Sequence, residues 1–312
     1  MSVSDVQSVR PQWPELILSA RPFAGGGASS KAAALDCLVR FSKPEEVARV
    51  LSAAAERGVG AIMPMNDATV LRALELTRAT SPLAVYPVIP NAIGYVRDAT
   101  DHGMIGAGIK HLRRMRVGDL VGIGIRGITS LRRVLLKDFR AILPILIEVE
   151  MAAFRKFQPP LVLLHAQVTD IALALGNHEA FRIFADVIRR RFGAEPVLVT
   201  CNYGLLARRL TEWDIDIGVI VAPFNSSGLL MKPNRQACES LLRESGRYVI
   251  ADRLGASGVS LPDELAYLRP LGIRSAVVEM TGANDVETTR DSTSVGSTAG
   301  EAESPRATRG LA

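Results

Sequence analysis

The sequence predicts an α/β protein folded as a (β/α)8 TIM barrel, and three observations support this fold class. Eight short apolar segments recur along the 312 residues. They lack the in-and-out alternation of a strand with one exposed face, which indicates a parallel sheet covered on both faces. Amphipathic stretches of helical period separate most of them, and eight strands within roughly 265 residues match the size of such a barrel. An open doubly wound sheet is the alternative.

The eight segments and the helical stretches alternate along the chain. The predicted strands are ELILSA (15–20), VGAIMPM (59–65), LAVYPVI (83–89), LVLLHA (161–166), PVLVTC (196–201), DIGVIVA (216–222), RYVIAD (247–252) and SAVVEM (275–280). The predicted helices are PEEVARVLSAAAERG, ATVLRALELTRA, HEAFRIFADVIRRRFG, YGLLARRLTEW and NRQACESLLRESG. The first of these helices has an acidic first turn and Gly58 just past its end, which are helix start and stop signals.

The barrel is expected to occupy residues 14–280 as a single domain. Residues 1–13 are predicted to be a flexible N-terminus, and residues 281–312, rich in Ser, Thr, Gly and Ala, a disordered tail. Residues 91–137 are too long for one crossover and predict a helical insertion between the third and fourth strands. This insertion is a candidate lid, packing element or homo-oligomer surface.

Within the insertion, Gly122-x-Gly124-x-x-Gly127 has the spacing of a dinucleotide-binding turn. The strand before it would be only residues 119–121, and the apolar residues of 117–135 follow a three-to-four spacing. This pattern favours a helical or broken-helical segment, with a nucleotide loop as the alternative.

Composition excludes several classes of partner. The net charge is +5, but aromatic residues make up only 5% of the chain, and the arginine clusters lie where amphipathic helices would face solvent. No apolar run reaches the roughly 18 residues of a membrane span. The three cysteines are too widely spaced for a disulfide framework or zinc cluster. We therefore expect a cytoplasmic protein that acts on a small molecule, without nucleic-acid or membrane partners.

Polar residues follow the predicted strands, at the barrel end where chemistry takes place. His165 is the most informative, because it ends an apolar strand where a solvated surface histidine is not expected; it is a candidate general acid/base or electrophilic hydrogen-bond donor. Asp67 is predicted to cap a helix. The candidate site residues are Arg21, Asn66, Asn91, His165, Gln167, Asn202, Asn225, Asp252, Arg253 and Glu279.

Two kinds of site lack their residues. No second histidine ends a strand, so we expect no His-rich metal site. The remaining hypothesis for a metal site is that Asp252, Glu279 and His165 act as the ligands. No lysine ends a strand, so a Schiff-base aldolase lacks its nucleophile.

From about residue 159 to 287 the layout resembles the aldo-keto reductase superfamily. PPLVLLHAQ is similar to the fourth-strand segment that ends in that family's active-site histidine, and EPVLVTCNYGLLARRL, IDIGVIVAPFNSSG, RYVIADRLGASGV and SAVVEMTGANDVE are similar to its fifth to eighth strands. The resemblance implies the barrel fold and an NADPH cofactor used with an Asp–Tyr–Lys–His tetrad. Of that tetrad only His165 has a counterpart here.

The sequence therefore predicts a metabolic enzyme that uses acid–base chemistry at the barrel mouth, of lyase or isomerase type, on a polar anionic metabolite. His165, Asp252 and Glu279 are the candidate catalytic residues, and Arg21 and Arg253 are expected to hold a carboxylate or phosphate. The asparagines and Gln167 would orient substrate oxygens. The alternatives are a divergent NAD(P)H-dependent reductase and a non-catalytic barrel that binds a ligand or partner. Whether a nicotinamide cofactor binds is left open.

Overall fold

The computed structural model describes residues 13–27, 30–91, 139–254 and 258–282. Within these ranges the chain forms one sheet in which every pair of neighbouring strands is parallel. Its strands are β1 (Leu16–Ser19), β2 (Ala61–Met63), β3 (Ala84–Val85), β4 (Val88–Ile89), β5 (Leu161–Leu164), β6 (Glu195–Val199), β7 (Val219–Pro223), β8 (Tyr248–Asp252) and β9 (Ser275–Val278).

The sheet closes on itself through β3 and β4, which are two halves of one strand position. β3 pairs with β2 and β4 pairs with β5. In the two residues between them, the Tyr86 N–H donates to the Ile62 carbonyl at 2.9 Å, and the Pro87 carbonyl accepts from the Leu163 N–H at 2.7 Å. The result is a barrel of eight strand positions. Each coincides with one of the eight predicted segments, except that β6 begins one residue before its segment and β7 ends one residue after its segment. The predicted (β/α)8 fold is confirmed.

The helices lie between the strand positions. They are α1 (Lys31–Arg40), α2 (Pro44–Glu56), α3 (Ala68–Thr77), α4 (Phe139–Ala152), α5 (Ala166–Ala174), α6 (His178–Val187), α7 (Tyr203–Glu212), α8 (Arg235–Ser245) and α9 (Leu261–Leu268). The five predicted helices correspond to α2, α3, α6, α7 and α8. Asp67 caps α3 as predicted, because its Oδ1 accepts from the Thr69 and Val70 N–H groups at 2.9 and 3.1 Å.

Alternation along each strand divides the core into two layers. Ile17, Leu163, Val197, Ile250 and Val277 belong to the cluster that fills the barrel interior. Their neighbours Leu16, Leu18, Val162 and Leu164 point outward and pack under the helices. Trp13 meets Tyr248 edge-on, with ring centroids 4.5 Å apart, at the end of the barrel where these strands begin. The opposite end, where the strands finish, carries polar residues beside apolar ones such as Met63 and Val199.

Several predicted features lie outside the described residues: the insertion beyond Asn91, its Gly122-x-Gly124-x-x-Gly127 segment, and the tail from residue 283 onward. In the described part of the chain, none of the helices combines the length and apolar character that crossing a membrane requires. The arginine cluster 189–191 is paired with carboxylates, as expected of a solvated helix face. The partners are Glu195 for Arg189, Asp186 for Arg190 and Glu148 for Arg191.

Candidate active site at the carboxyl ends of the strands

The two-residue repeat of the strands selects the side chains that face the barrel mouth. Each interior residue is followed two positions later by another inward-facing position. These positions are Ser19 after Ile17, His165 after Leu163, Asp252 after Ile250 and Glu279 after Val277. Cys201 follows Val197 by four residues and is therefore in the same register. His165, Asp252 and Glu279, predicted as catalytic, therefore share one end of the barrel and one inward register.

Arg21 connects β1 with the ends of β8 and β9. Its Nη2 and Nη1 donate to Oδ1 and Oδ2 of Asp252 at 2.6 and 3.0 Å, a bidentate pair. Its Nε lies 2.8 Å from Glu279 Oε1, and the same Nε donates to Ser19 Oγ at 3.1 Å. Burial by itself lowers the pKa of Arg21, but the charges and hydrogen bonds of Asp252 and Glu279 outweigh it and raise the pKa. The guanidinium therefore stays protonated and engaged with two carboxylates.

The two carboxylates differ in what they leave available. The Asp252 side chain is 8% exposed and both its oxygens accept from Arg21, whereas the Glu279 side chain is 33% exposed. Glu279 Oε2 lies against Gly27, where a Cβ would clash with it and where φ is +78°. Glycine is needed at this position both for its left-handed backbone and for close approach to the carboxylate. Glu279 is thus the carboxylate that a substrate can reach.

His165 forms the junction between β5 and α5. Its backbone N–H donates to the Ile89 carbonyl at 2.7 Å, and its Nδ1 accepts from the Gln167 N–H at 3.2 Å, so the imidazole caps α5. Burial, followed by the positive charge of Arg21, lowers the pKa of His165 below its usual value. The ring is therefore neutral at pH 7. Because Nδ1 is an acceptor, Nε2 carries the proton.

This lowered pKa predicts a pH-dependent stability. Between the lowered folded-state pKa and about 6.5, the unfolded chain binds more protons at His165 than the folded chain does. The His165 contribution to the free energy of unfolding is therefore complete above this window and is lost as the pH falls through it. We expect His165→Gln to show a smaller loss of stability than wild type between about pH 8 and about pH 5 in urea unfolding. Equal losses would contradict the lowered pKa.

Arg253 follows β8 and has an unusual backbone for a residue other than glycine, with φ of 62°. Its N–H donates to Asp252 Oδ1 at 2.8 Å, and its Nε has only a long 3.8 Å contact with Asp252 Oδ2. A left-handed backbone at such a residue costs roughly 1–2 kcal/mol. The backbone at Arg253 therefore carries a local cost in stability, while its side chain, 35% exposed, lies at the mouth.

We expect Arg253→Gly to raise the free energy of unfolding by about 1 kcal/mol, because glycine adopts this backbone without strain. Arg253→Ala is the matched control, since it removes the guanidinium but keeps a Cβ. Urea unfolding of both variants measures the difference. Equal stabilities for the Gly and Ala variants would show that the backbone is not strained.

The remaining predicted site residues are mostly engaged in local structure. Asn202 caps α7 through Oδ1, which accepts from the Leu205 N–H at 3.3 Å. Asn91 Nδ2 donates to the Asn66 carbonyl at 3.0 Å, which connects the loops after β2 and β4. Gln167 is exposed. Their predicted roles in orienting substrate oxygens stay predictions.

Asn225 is enclosed by its own loop. It is fully buried, its Oδ1 accepts from Ser227 Oγ and the Leu229 N–H at 2.8 Å each, and its Nδ2 donates to the Leu229 carbonyl at 2.9 Å. It is not part of the site, because no surface of it is available to a substrate.

Sequence reasoning missed a group of residues at the end of β6. Thr200 Oγ1 donates to Asp170 Oδ1 at 2.5 Å, and the Cys201 N–H donates to Asp170 Oδ2 at 3.0 Å. Burial, followed by the charge of Asp170, raises the pKa of the Cys201 thiol, so the thiol stays protonated. Extending the inward register from Val197 would have found Cys201. Asp170 lies on a helix that was not predicted, and its contact with β6 has no local sequence signal.

The remaining hypothesis for a metal site is not supported by this geometry. Arg21 lies between Asp252 and Glu279, where a shared cation would have to sit. Across residues 13–27, 30–91, 139–254 and 258–282, no three His, Cys, Asp or Glu side chains converge as metal ligands would.

The residues at the mouth also do not fit the catalytic set of an aldo-keto reductase. β2 ends in Met63 and Pro64, and the β3–β4 position contributes Pro87 and Pro90 with no lysine. Only His165 matches the tetrad. Among the residues that the structure describes, the mouth therefore lacks the tyrosine and the lysine with which that catalytic set uses NADPH.

Two solved structures are similar to this chain in outline. One, described as an aldo-keto reductase from Pseudomonas aeruginosa, gives a TM-score of 0.48 at 14% identity over 89% of this chain and 90% of that one. The other, malate synthase of Haloferax volcanii, gives 0.43 at 10% identity over 97% and 78%. No protein-family model and no curated protein matches the sequence. Since both TM-scores are below 0.5, the fold is assigned from the order of the strands and the closure of the sheet.

Proposed function

We propose that this protein is an enzyme that removes a proton next to the carbonyl of a small anionic metabolite, in a reaction of isomerase or lyase type. The observation that carries the proposal is the position of His165, whose Nδ1 accepts from the Gln167 N–H and whose Nε2 is therefore assigned the proton, at the same mouth as a reachable carboxylate, Glu279. An acid–base site needs two titratable groups whose surroundings give them different tasks. Here one group donates a hydrogen bond and the other accepts a proton.

Glu279 is the proposed general base. Within the described residues, Oε1 is bonded to Arg21 Nε, while Oε2 takes no hydrogen bond and its side chain is partly exposed. Asp252 is less suited, because both its oxygens are bonded to Arg21 and it is buried. Asp252 is instead the positioning residue that fixes Arg21, and Arg21 in turn fixes Glu279.

His165 is the proposed electrophile. When Glu279 takes the proton, the C–H electron pair forms a C=C bond and the carbonyl oxygen acquires negative charge as an enediolate. A fixed Nε2–H donor stabilises that oxygen more than the starting carbonyl. In an α-hydroxy carbonyl substrate, transfer of the hydroxyl proton to this oxygen and return of the proton from Glu279 to the former carbonyl carbon complete an isomerisation, and the hydroxyl-bearing carbon becomes the new carbonyl. Alternatively, the enediolate re-forms its carbonyl while a leaving group departs from the carbon β to it, which completes an elimination.

Arg253 is the proposed ligand of the substrate's anionic group. Its side chain is 35% exposed, and its nearest carboxylate contact is the long one to Asp252. Arg21, which sequence reasoning also assigned to an anion, already pairs with two carboxylates, so its role is to hold Glu279.

Exchange of substrate hydrogen for solvent deuterium tests this function even when the final product is unidentified. The full chain is incubated in D2O with a panel of anionic α-hydroxy carbonyl compounds, and proton NMR follows loss of the signal next to the carbonyl. We expect enzyme-dependent exchange for at least one compound, independent of any nicotinamide. Exchange with none of them, or carbonyl reduction that requires NADPH, would overturn the proposal and favour the binding-protein or reductase alternative.

A further inference from the structure

A small cavity of about 180 Å³ adjoins the mouth and is not used by the reaction proposed above. It lies where α5, the start of α7 and the loop after β7 meet. Its polar lining comes from Asp170, Cys201, Asn202 and Lys232, and its apolar lining from Leu173, Ala174 and Leu205. A pocket that encloses a whole drug-sized ligand measures roughly 300–1,000 Å³. This one has room for one end of a metabolite.

The lysine at this cavity is held in place by its backbone. The Lys232 carbonyl accepts from the Gly204 N–H at 3.0 Å and from Cys238 Sγ at 3.2 Å. A Cβ at Gly204 would approach the Lys232 carbonyl oxygen to 2.8 Å, so glycine is what allows this contact. The exposed Lys232 ammonium has no ion pair with any described residue.

The hydrogen-bonding groups of the lining are only partly used. A carboxylate offers about four acceptor sites, and Asp170 uses two of them, for Thr200 and the Cys201 N–H. Asn202 uses its Oδ1 as the cap of α7, while no described residue accepts from its Nδ2. The cavity therefore presents acceptors on Asp170 and donors on Asn202 and Lys232.

This combination discriminates between ligand groups. A carboxylate or phosphate would be attracted by Lys232 but repelled by Asp170. An ammonium group would be attracted by Asp170 but repelled by Lys232. A hydroxyl group donates to Asp170 and accepts from Asn202 or Lys232 at the same time. The apolar side chains Leu173 and Leu205 suit the C–H faces of a polyol chain.

The cavity also adjoins the reaction site. Leu164 pairs with Leu198 in the β5–β6 register, so His165 is level with Val199, and Cys201 follows two residues later on the same inward face. The charges of Asp252 and Arg253 act on the pKa of the Cys201 thiol, as do those of Asp170 and Lys232. Cys201 therefore lies between the mouth and the cavity.

We propose that the cavity binds the hydroxyl-bearing tail of the substrate, so that Asp170, Asn202 and Lys232 select a polyhydroxylated carbonyl compound. This inference rests on the proposed function, because it assumes that the protein has a substrate. The preference of the cavity for hydroxyl groups can be tested without that assumption.

The experiment is an NMR titration of the ¹⁵N-labelled full chain with erythritol, a neutral polyol that cannot undergo the reaction. We expect perturbation of the Asn202 side-chain amide and the Lys232 backbone amide. Asn202→Ser keeps a capping oxygen but removes the Nδ2 donor, and Lys232→Met removes the ammonium. Each should weaken erythritol binding about three- to tenfold, the value of one hydrogen bond. Asn177→Ser, at the equivalent cap of α6, is the matched control and should bind as wild type.

Three results would overturn the hydroxyl site: no perturbation at Asn202, equal binding by the Asn202→Ser variant, or tighter binding there of inorganic phosphate or propionate than of erythritol. Failure of the proposed reaction is distinguishable, because it would abolish deuterium exchange in the panel and leave erythritol binding intact. Conversely, exchange only with panel members that carry no hydroxyl group beyond the one on the α-carbon, without erythritol binding, would remove the cavity from the substrate site and keep the reaction.

Discussion

Glu279→Gln is expected to slow deuterium exchange of the substrate by about 10²- to 10⁴-fold, the usual contribution of a positioned general base. Glutamine has the same shape, and its Oε1 can still accept from Arg21 Nε, which lies 2.8 Å from the native carboxylate oxygen. The substitution therefore removes basicity with little change in structure. The exchange rate measured by proton NMR gives the size of the effect.

The control for this prediction is Glu212→Gln. Glu212 is an exposed residue of α7 whose carboxylate pairs with Arg209 at 2.6 Å, away from the mouth. Its loss should leave the exchange rate unchanged. If Glu279→Gln exchanged as fast as the Glu212→Gln control, Glu279 would not be the base.

Asp252→Ala is expected to lower the free energy of unfolding by about 3 kcal/mol, because it leaves the Arg21 guanidinium without its bidentate partner. We take the lower end of the range for buried pairs, since the Arg21 side chain is 28% exposed. The double variant Arg21→Met/Asp252→Ala should recover most of this loss, because the guanidinium is removed as well, and the Glu279 carboxylate that then lacks its partner is 33% exposed. Urea unfolding of the two single variants and the double variant measures the coupling.

A surface pair provides the comparison. Arg190 and Asp186 are 79% and 52% exposed and lie one helical turn apart, so Asp186→Ala should cost less than about 1 kcal/mol. A cost for Asp252→Ala no larger than this, or no recovery in the double variant, would contradict the structural role of the Arg21–Asp252 pair.

The sequence predicts most of the fold because a buried parallel sheet leaves a local signal. Each of the eight strand positions is an apolar run, and the five amphipathic helices show their period and stop signals. Two of the other helices lack such a signal for identifiable reasons. α5 begins one residue after β5, with His165 as both strand end and cap, so it cannot be separated from the strand by composition. α1 contains no buried residue, and its apolar residues, among them the exposed Leu35, Leu38 and Val39, do not mark a side that faces the core.

The site was predicted less completely than the fold. Reading past the strand ends finds His165, Asp252 and Glu279, because parallel strands bring their carboxyl ends together. Such a reading does not reveal which partners a side chain has. Arg21 and Asp252 are 231 residues apart in sequence, and their bidentate pair depends on the closure of the barrel. In the same way, Asn202 and Asn225 both follow strand ends, but Asn202 caps α7 beside the small cavity, whereas Asn225 is enclosed by its own loop.

The most direct test of the proposed reaction is the protonation of His165 in the folded protein. Long-range ¹H–¹⁵N NMR distinguishes the two neutral ring forms, and His165→Gln identifies its signals among the four histidines. We expect a neutral ring with the proton on Nε2 and a pKa below the usual value of about 6.5. A ring protonated on Nδ1, or a pKa above that value, would show that His165 is not the fixed donor on which the proposed reaction depends.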